Sequence, residues 1–190
     1  MDAREPYVTP PPGVVSSCSL QTIKFYLWSP LGIIDSTIRF SVNDIDYTTE
    51  SSELTFENDT LFFIPETSWP DGDSVRCILL EANDGITVID SFYWSFLIDL
   101  SPPNFYSIYP NDDDIITERD PNITFRINDL AGDIDSLLFN LRINGSYFYI
   151  GDRNLTISGD TLFFDIASGY GELSGGDSIE LCLHVPDVAL

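Results

Sequence analysis

Asp59-Thr-Leu-Phe-Phe63 and Asp160-Thr-Leu-Phe-Phe164 are the same five residues, 101 positions apart. The match extends outward on both sides. Gln21-Thr-Ile-Lys-Phe-Tyr-Leu27 returns as Asn122-Ile-Thr-Phe-Arg-Ile127, with Ile23, Phe25 and Leu27 matched by Ile123, Phe125 and Ile127. Ile38-Arg-Phe-Ser-Val-Asn43 returns as Phe139-Asn-Leu-Arg-Ile-Asn144, and Gly72-Asp-Ser-Val75 as Gly176-Asp-Ser-Ile179. The offset grows only between matched blocks, so the added residues fall in connections, where insertions are tolerated. A repeat at this period means two modules of one kind. The reading is a domain of residues 1–100 followed by a second of residues 101–190.

Within each copy, apolar residues alternate with polar ones in short runs, the period of a half-buried strand. Ile23, Phe25 and Leu27 point inward while Thr22, Lys24 and Tyr26 point out. Val75, Cys77 and Leu79 alternate with Arg76 and Ile78, and Phe139, Leu141 and Ile143 with Asn140 and Arg142. No sustained helical stripe is present, so helix should be negligible. Asn144-Gly145 between two such runs reads as a two-residue hairpin turn, since Asn and Gly tolerate positive φ, and Asn43-Asp44 takes the matching place. Roughly seven short strands per hundred residues gives an all-β fold, two tandem immunoglobulin-like antiparallel β-sandwiches.

Pro102-Pro103 removes two backbone donors and favours extended geometry, which ends pairing and stiffens the link. The expectation is two modules joined end to end. Phe92-Tyr-Trp-Ser-Phe-Leu-Ile98 reads as the last strand of the first module, and the second has no equivalent in this sequence. Either the chain is a piece of a longer polypeptide, or a strand comes from elsewhere by donor-strand pairing. An open edge beside residues 178–185 would otherwise invite aggregation.

The balance of charge is very acidic, 31 Asp and Glu against 8 Lys and Arg for a net −23, and both copies share it. Such a surface repels phosphate backbones and anionic lipid, which argues against a nucleic-acid partner. No apolar run approaches the roughly 18 residues that span a bilayer, so membrane insertion is not expected. Met1-Asp-Ala-Arg-Glu-Pro6 lacks the pattern of a secretory signal, which taken alone suggests the cytoplasm.

The order of several short motifs resembles bacterial immunoglobulin-like repeats of large secreted or surface proteins. These are Leu31-Gly-Ile-Ile-Asp-Ser-Thr-Ile38 leading to Val42-Asn43, and Ala131-Gly-Asp-Ile-Asp-Ser136 leading to Ile143-Asn-Gly145. Trp69-Pro-Asp-Gly-Asp73 and Tyr93-Trp-Ser-Phe-Leu-Ile-Asp-Leu-Ser-Pro-Pro103 complete them. Asp44 departs from the usual Gly. The resemblance implies a secreted or cell-surface location and a non-catalytic spacer or adhesion module, with neighbouring repeats of the same polypeptide as its partners. It carries over no functional residue and no cofactor.

Sites read from the residues themselves are weaker. Nucleophilic catalysis needs a group that titrates near neutrality, and the sole histidine, His184, shares the outer face of its strand with Cys182. Nothing nearby in the sequence orients the imidazole, so no enzyme is expected. Paired carboxylates for glycoside hydrolysis arise by chance among so many acids. Calcium would suit Asp99, Asp112-Asp-Asp114 or Asp129, Asp133 and Asp135, but neither cluster has the spacing of a twelve-residue calcium loop. Tyr147 and Tyr149, or Tyr26 and Trp28, could stack on sugar rings of a surface glycan, or meet a protein. Cys77 points inward and Cys18 precedes the strand near Gln21. A disulfide between Cys18 and Cys77, contributing roughly 2–4 kcal/mol, and two free thiols both fit.

Overall fold

The computed structural model describes residues 7–89, 91–129 and 139–185. The motif at 131–136, with Asp133 and Asp135, lies outside the described residues, as does the N-terminal hexapeptide. The chain divides into two compact units, one running to Leu100 and the other beginning at Ser101.

In the first unit, β1 (Val8–Thr9), β3 (Ile23–Tyr26), β7 (Thr60–Phe63) and β6 (Leu54–Glu57) form one sheet in the order β1-β3-β7-β6. The facing sheet runs β2-β10-β8-β4-β5, from β2 (Val15–Ser16), β10 (Phe92–Ile98), β8 (Ser74–Asn83), β4 (Arg39–Val42) and β5 (Ile45–Thr48). A short β9 (Val88–Ile89) pairs with the end of β8. Every pairing is antiparallel except β2 with β10. The alternation in the sequence decides the layers. Ile23, Phe25, Phe40, Val42, Leu61, Phe63, Val75, Cys77 and Leu79 are all buried between the sheets, while Lys24, Tyr26, Arg39 and Arg76 face out.

The largest buried side chain is Trp94 on β10, 2% exposed. Its ring lies 5.5 Å from those of Phe25 and Phe92 and 5.8 Å from that of Phe40, so one residue joins both sheets. Burying an aromatic of this size supplies a major share of a small domain's apolar stabilisation.

The second unit repeats this plan. β11 (Asn104–Tyr109), β12 (Asn122–Asn128), β16 (Thr161–Asp165) and β15 (Leu155–Ser158) form a sheet in the order β11-β12-β16-β15. Opposite it, β13 (Asn140–Ile143) is flanked by β14 (Ser146–Tyr149) and β17 (Leu181–His184). β17 holds the place of β8, because Leu141 opposite Leu183 and Ile143 opposite Leu181 repeat Phe40 opposite Leu79 and Val42 opposite Cys77. The chain is thus all-β, two immunoglobulin-like sandwiches, and among the described residues the second has no counterpart of β10. Among the described residues, helix is confined to a 3₁₀ turn at Asp35–Thr37 and to α1 (Ile166–Gly169), whose first turn is capped by Asp165 accepting from the Ser168 N–H at 3.2 Å.

Two repeated motifs have visible causes. Asn43 and Asp44 adopt φ of 49° and 65°, and Asn144 and Gly145 of 44° and 88°, the left-handed pair of a type I′ hairpin. In each copy the Asn also clamps the next strand. Its N–H donates to the carbonyl of Arg76 (2.9 Å) or Glu180 (3.0 Å), and its Oδ1 accepts from the N–H of the same residue at 2.8 or 2.7 Å. That double bond continues strand pairing one step past the turn. Replacing Asn144 with Gly keeps the positive φ but deletes the side-chain half of the clamp. The expected loss is about 1 kcal/mol in the urea unfolding of the second unit. An unchanged midpoint would assign the motif to turn geometry alone.

Candidate functional site

The register of the β14-β13-β17 sheet gathers residues that are scattered in the sequence. Arg142 lies opposite both Tyr147 and Cys182, and Asn140 opposite both Tyr149 and His184. Alternation sends all six to the outer face, where Tyr147 and Tyr149 are 56% and 52% exposed while Phe148 between them turns in toward Phe164. Arg142 is held to Glu180 at 3.1 Å. This is a mixed face with two tyrosine rings on an edge strand. It can stack on a ring or receive an extended segment. Cys182 and His184 are alternate residues of one strand, roughly 6.6 Å apart along it, and no hydrogen bond holds the imidazole among the described residues. Proton transfer between the two would need a shorter path.

A second polar group lies on the outer face of the β11-β12-β16-β15 sheet. The Tyr106 hydroxyl donates to the Asp160 carboxylate, Arg126 sits 3.6 Å from that carboxylate, and its guanidinium is 5.5 Å from the Tyr106 ring centre. The hydrogen bond from Tyr106, with one from Thr161 and the nearby Arg126, holds the Asp160 carboxyl below its ordinary value, and the same bond raises the Tyr106 hydroxyl. Alternation along β12 places Arg126 outward, but only cross-strand register reveals its partners. The ion pairs of Arg39, Arg76, Arg126 and Arg142 are exposed, where water screens the attraction and leaves each one weak.

The acidic candidates fold into turns. Asp113 has φ 61°, and the Asp114 carboxylate accepts from the backbone N–H of Asn111 at 2.8 Å and its side-chain amide at 3.1 Å. Asp99 is buried at the end of β10, its N–H donating to the Ser16 carbonyl at 3.0 Å, and Asp129 is buried after β12. Asp133 and Asp135 are outside the described residues. Among the described residues no three acidic, histidine or cysteine side chains converge as a metal site would require. Asp84, which no sequence motif marks, shapes the β8–β9 turn. It accepts from the Ser29 hydroxyl (2.5 Å), Thr87 N–H (2.7 Å) and Ile86 N–H (3.0 Å), which together lower its carboxyl from the ordinary value, Ser29 most.

The cysteines are free thiols in the structure. Cys18 is exposed in the turn after β2, where its carbonyl accepts from Gln21. Cys77 is wholly buried on β8, opposite Trp94 on one side and Val42 on the other. Burial pushes the Cys77 thiol up to about 12. Cys182 is exposed on β17.

A groove of ≈ 810 Å³ lies in the second unit. Ile116, Ile123, Phe125, Ile166, Ile179 and Leu181 line it together with Asp112–Asp114. Sequence patterns gave no sign of it, because it is made by a space between segments distant in the chain.

No family model matches the chain, and no curated protein does. Among solved structures it is similar to a chimeric titin Z1Z2-Z1Z2 tandem functionalized with an exogenous fibronectin peptide, at 11% identity and TM-score 0.36, over 95% of this chain and 97% of that one. It is also similar to the N-terminal Ig1-2 module of the Drosophila receptor protein tyrosine phosphatase DLAR, at 10% identity and TM-score 0.29, over 97% and 92%. A third is dimeric latent PorU from Porphyromonas gingivalis, at 14% identity and TM-score 0.36, of which the match covers 20% against 95% of this chain.

Proposed function

We propose that this chain is a non-catalytic pair of structural repeats from a larger secreted or cell-surface bacterial protein, acting as a spacer or adhesion module beside further repeats of its kind. One observation carries the reading: what the two copies share is interior and turns, and what differs is surface. Ile23, Phe25 and Leu27 match Ile123, Phe125 and Ile127, whereas the outward Lys24 and Tyr26 are replaced by Thr124 and Arg126. On β5 and β14 the inward Tyr47 and Phe148 correspond, while the outward Asp46 and Thr48 become Tyr147 and Tyr149. A repeated interior under a varied surface is what a scaffold needs. The net charge of −23 keeps such a scaffold soluble and its sheet edges apart.

Pulling on single molecules tests the mechanical part. Each residue released from a fold adds at most about 3.3–3.6 Å, so loss of the first unit should lengthen the chain by roughly 300 Å in a single step. Smooth extension without a step would exclude a mechanical role. Tyr147 and Tyr149 favour a second reading, in which the same scaffold presents a face for a glycan or protein. On a glycan array, signal from the parent chain that vanishes in the Tyr147→Ser, Tyr149→Ser double variant would support it. An array without hits would remove the glycan.

A further inference from the structure

The two units differ in their sheets at the place of β10. In the first, β10 pairs antiparallel with β8, Phe92 opposite Leu79, Trp94 opposite Cys77 and Phe96 opposite Val75, and parallel with β2. The Gly13 N–H donates to the Ser95 carbonyl at 2.8 Å and the Leu97 N–H to the Val14 carbonyl at 2.9 Å, so β10 is bonded on both edges. Beside this strand, Val75, Cys77 and Leu79 of β8 are fully buried. Their counterparts in the second unit, Ile179, Leu181 and Leu183, are only partly buried. The segment after Pro110 turns at Asp112–Asp113, as the one after Pro10 turns at Pro12–Gly13, yet forms no strand, and its Ile115 is 95% exposed. Phe125, the counterpart of the Phe25 that packs on Phe92 and Trp94, lines the groove. Among the described residues, no strand pairs with the edge of β17 that faces the groove.

We propose that this groove is the seat of one further β-strand, an extended peptide segment with large apolar side chains at alternate positions. It runs antiparallel to β17 and parallel to residues 115–117, in the manner of Phe92–Ile98. The geometry of the first unit sets its register. An aromatic residue corresponding to Trp94 stands opposite Leu181 and drops onto Phe125. A residue corresponding to Tyr93 stands opposite Cys182 and faces outward. Backbone hydrogen bonds from two edges supply affinity, and the alternate apolar side chains supply selectivity.

The probe is a synthetic peptide of sequence 91–100 of this chain, added to the intact protein. At about a hundred times its dissociation constant, the peptide should lower the unfolding equilibrium constant of the second unit about a hundredfold and protect the amides of residues 179–183 from exchange. Register is read by covalent capture. Peptides bearing Tyr93→Cys or Trp94→Cys are supplied as mixed disulfides with an aryl thiol. The Cys182 thiolate attacks the peptide sulfur and releases the aryl thiolate, and peptide mapping separates linkage at Cys182 from linkage at the exposed Cys18. The Tyr93→Cys peptide should capture Cys182 at least tenfold faster than the Trp94→Cys peptide. Equal capture by the two, or stabilisation equalled by a peptide with Ser at positions 92, 94, 96 and 98, would overturn the proposal. So would protection of residues 179–183 without peptide in a dimer of the chain, which would make a second copy the occupant.

Discussion

Trp94→Ala should cost the first unit about 3–5 kcal/mol, the usual range for deleting a buried large aromatic. The side chain is 2% exposed and its ring meets Phe25, Phe40 and Phe92, so neighbours on both sheets line the void and cannot all close on it. Its indole N–H has no hydrogen-bond partner among the described residues, and the loss is therefore one of packing rather than of a hydrogen bond. Against the 5–15 kcal/mol that holds most domains together, such a loss takes the first unit close to its limit. Trp94→Phe keeps most of the apolar volume, discards the unpaired donor, and should cost far less. All three tryptophans, Trp28, Trp69 and Trp94, lie before residue 100, so indole fluorescence reports the first unit alone. The fluorescence midpoint of Trp94→Ala should fall by about 2–3 M urea. Amide signals from β12 and β16 should keep their own midpoint, because the two apolar clusters share no residue. A matching fall in β12 and β16 would mean a single cooperative unit.

The buried thiol of Cys77 yields the second large effect. With the group pushed up to about 12, its thiolate fraction near pH 8 is about a thousandfold below that of an ordinary thiol, and the residue is also wholly buried, opposite Trp94. A disulfide reagent should react promptly with two thiols per chain, the exposed Cys18 and Cys182, and reach the third only as the first unit opens. Linkage fixes the sign of the pH effect. Below about 9 the thiol is protonated in both states and stability does not depend on it. Above that, the unfolded chain gives up the proton while the folded chain keeps it. The first unit then loses about 1.4 kcal/mol for each pH unit until the folded group itself titrates. Tyr47, raised chiefly by burial and then by Glu53 and Glu66, acts in the same direction at higher pH. Cys77→Ala should therefore flatten the slope of stability between about pH 9 and 10 relative to the parent. Identical slopes would show that the thiol is not the titrating group.

The strands were legible wherever alternation and turn chemistry agreed. Phe92–Ile98 is a strand over the span its apolar run suggests, and Asn43-Asp44 and Asn144-Gly145 turn where their tolerance of positive φ allows. Sheet membership was not legible. Val8–Thr9 pairs with one sheet and Val15–Ser16 with the other, a switch made across Pro10-Pro-Pro-Gly13 that no period-2 pattern encodes. The one-turn helix Ile166–Gly169 is too short to leave a helical stripe. Surface groupings were illegible for a different reason. Tyr147, Arg142 and Cys182 meet because three strands pair in a given register, and Tyr106, Arg126 and Asp160 because three others do. Register depends on which faces are buried, which a single strand's sequence does not reveal.

The central claim is that each copy of the repeat makes its own double-layered core. Residues 1–100, expressed alone and compared with the full chain by amide correlation spectra, test it most directly. The account predicts dispersed signals that overlay those of the same residues in the intact protein, including β8 and β10. A collapsed spectrum of narrow dispersion would contradict it.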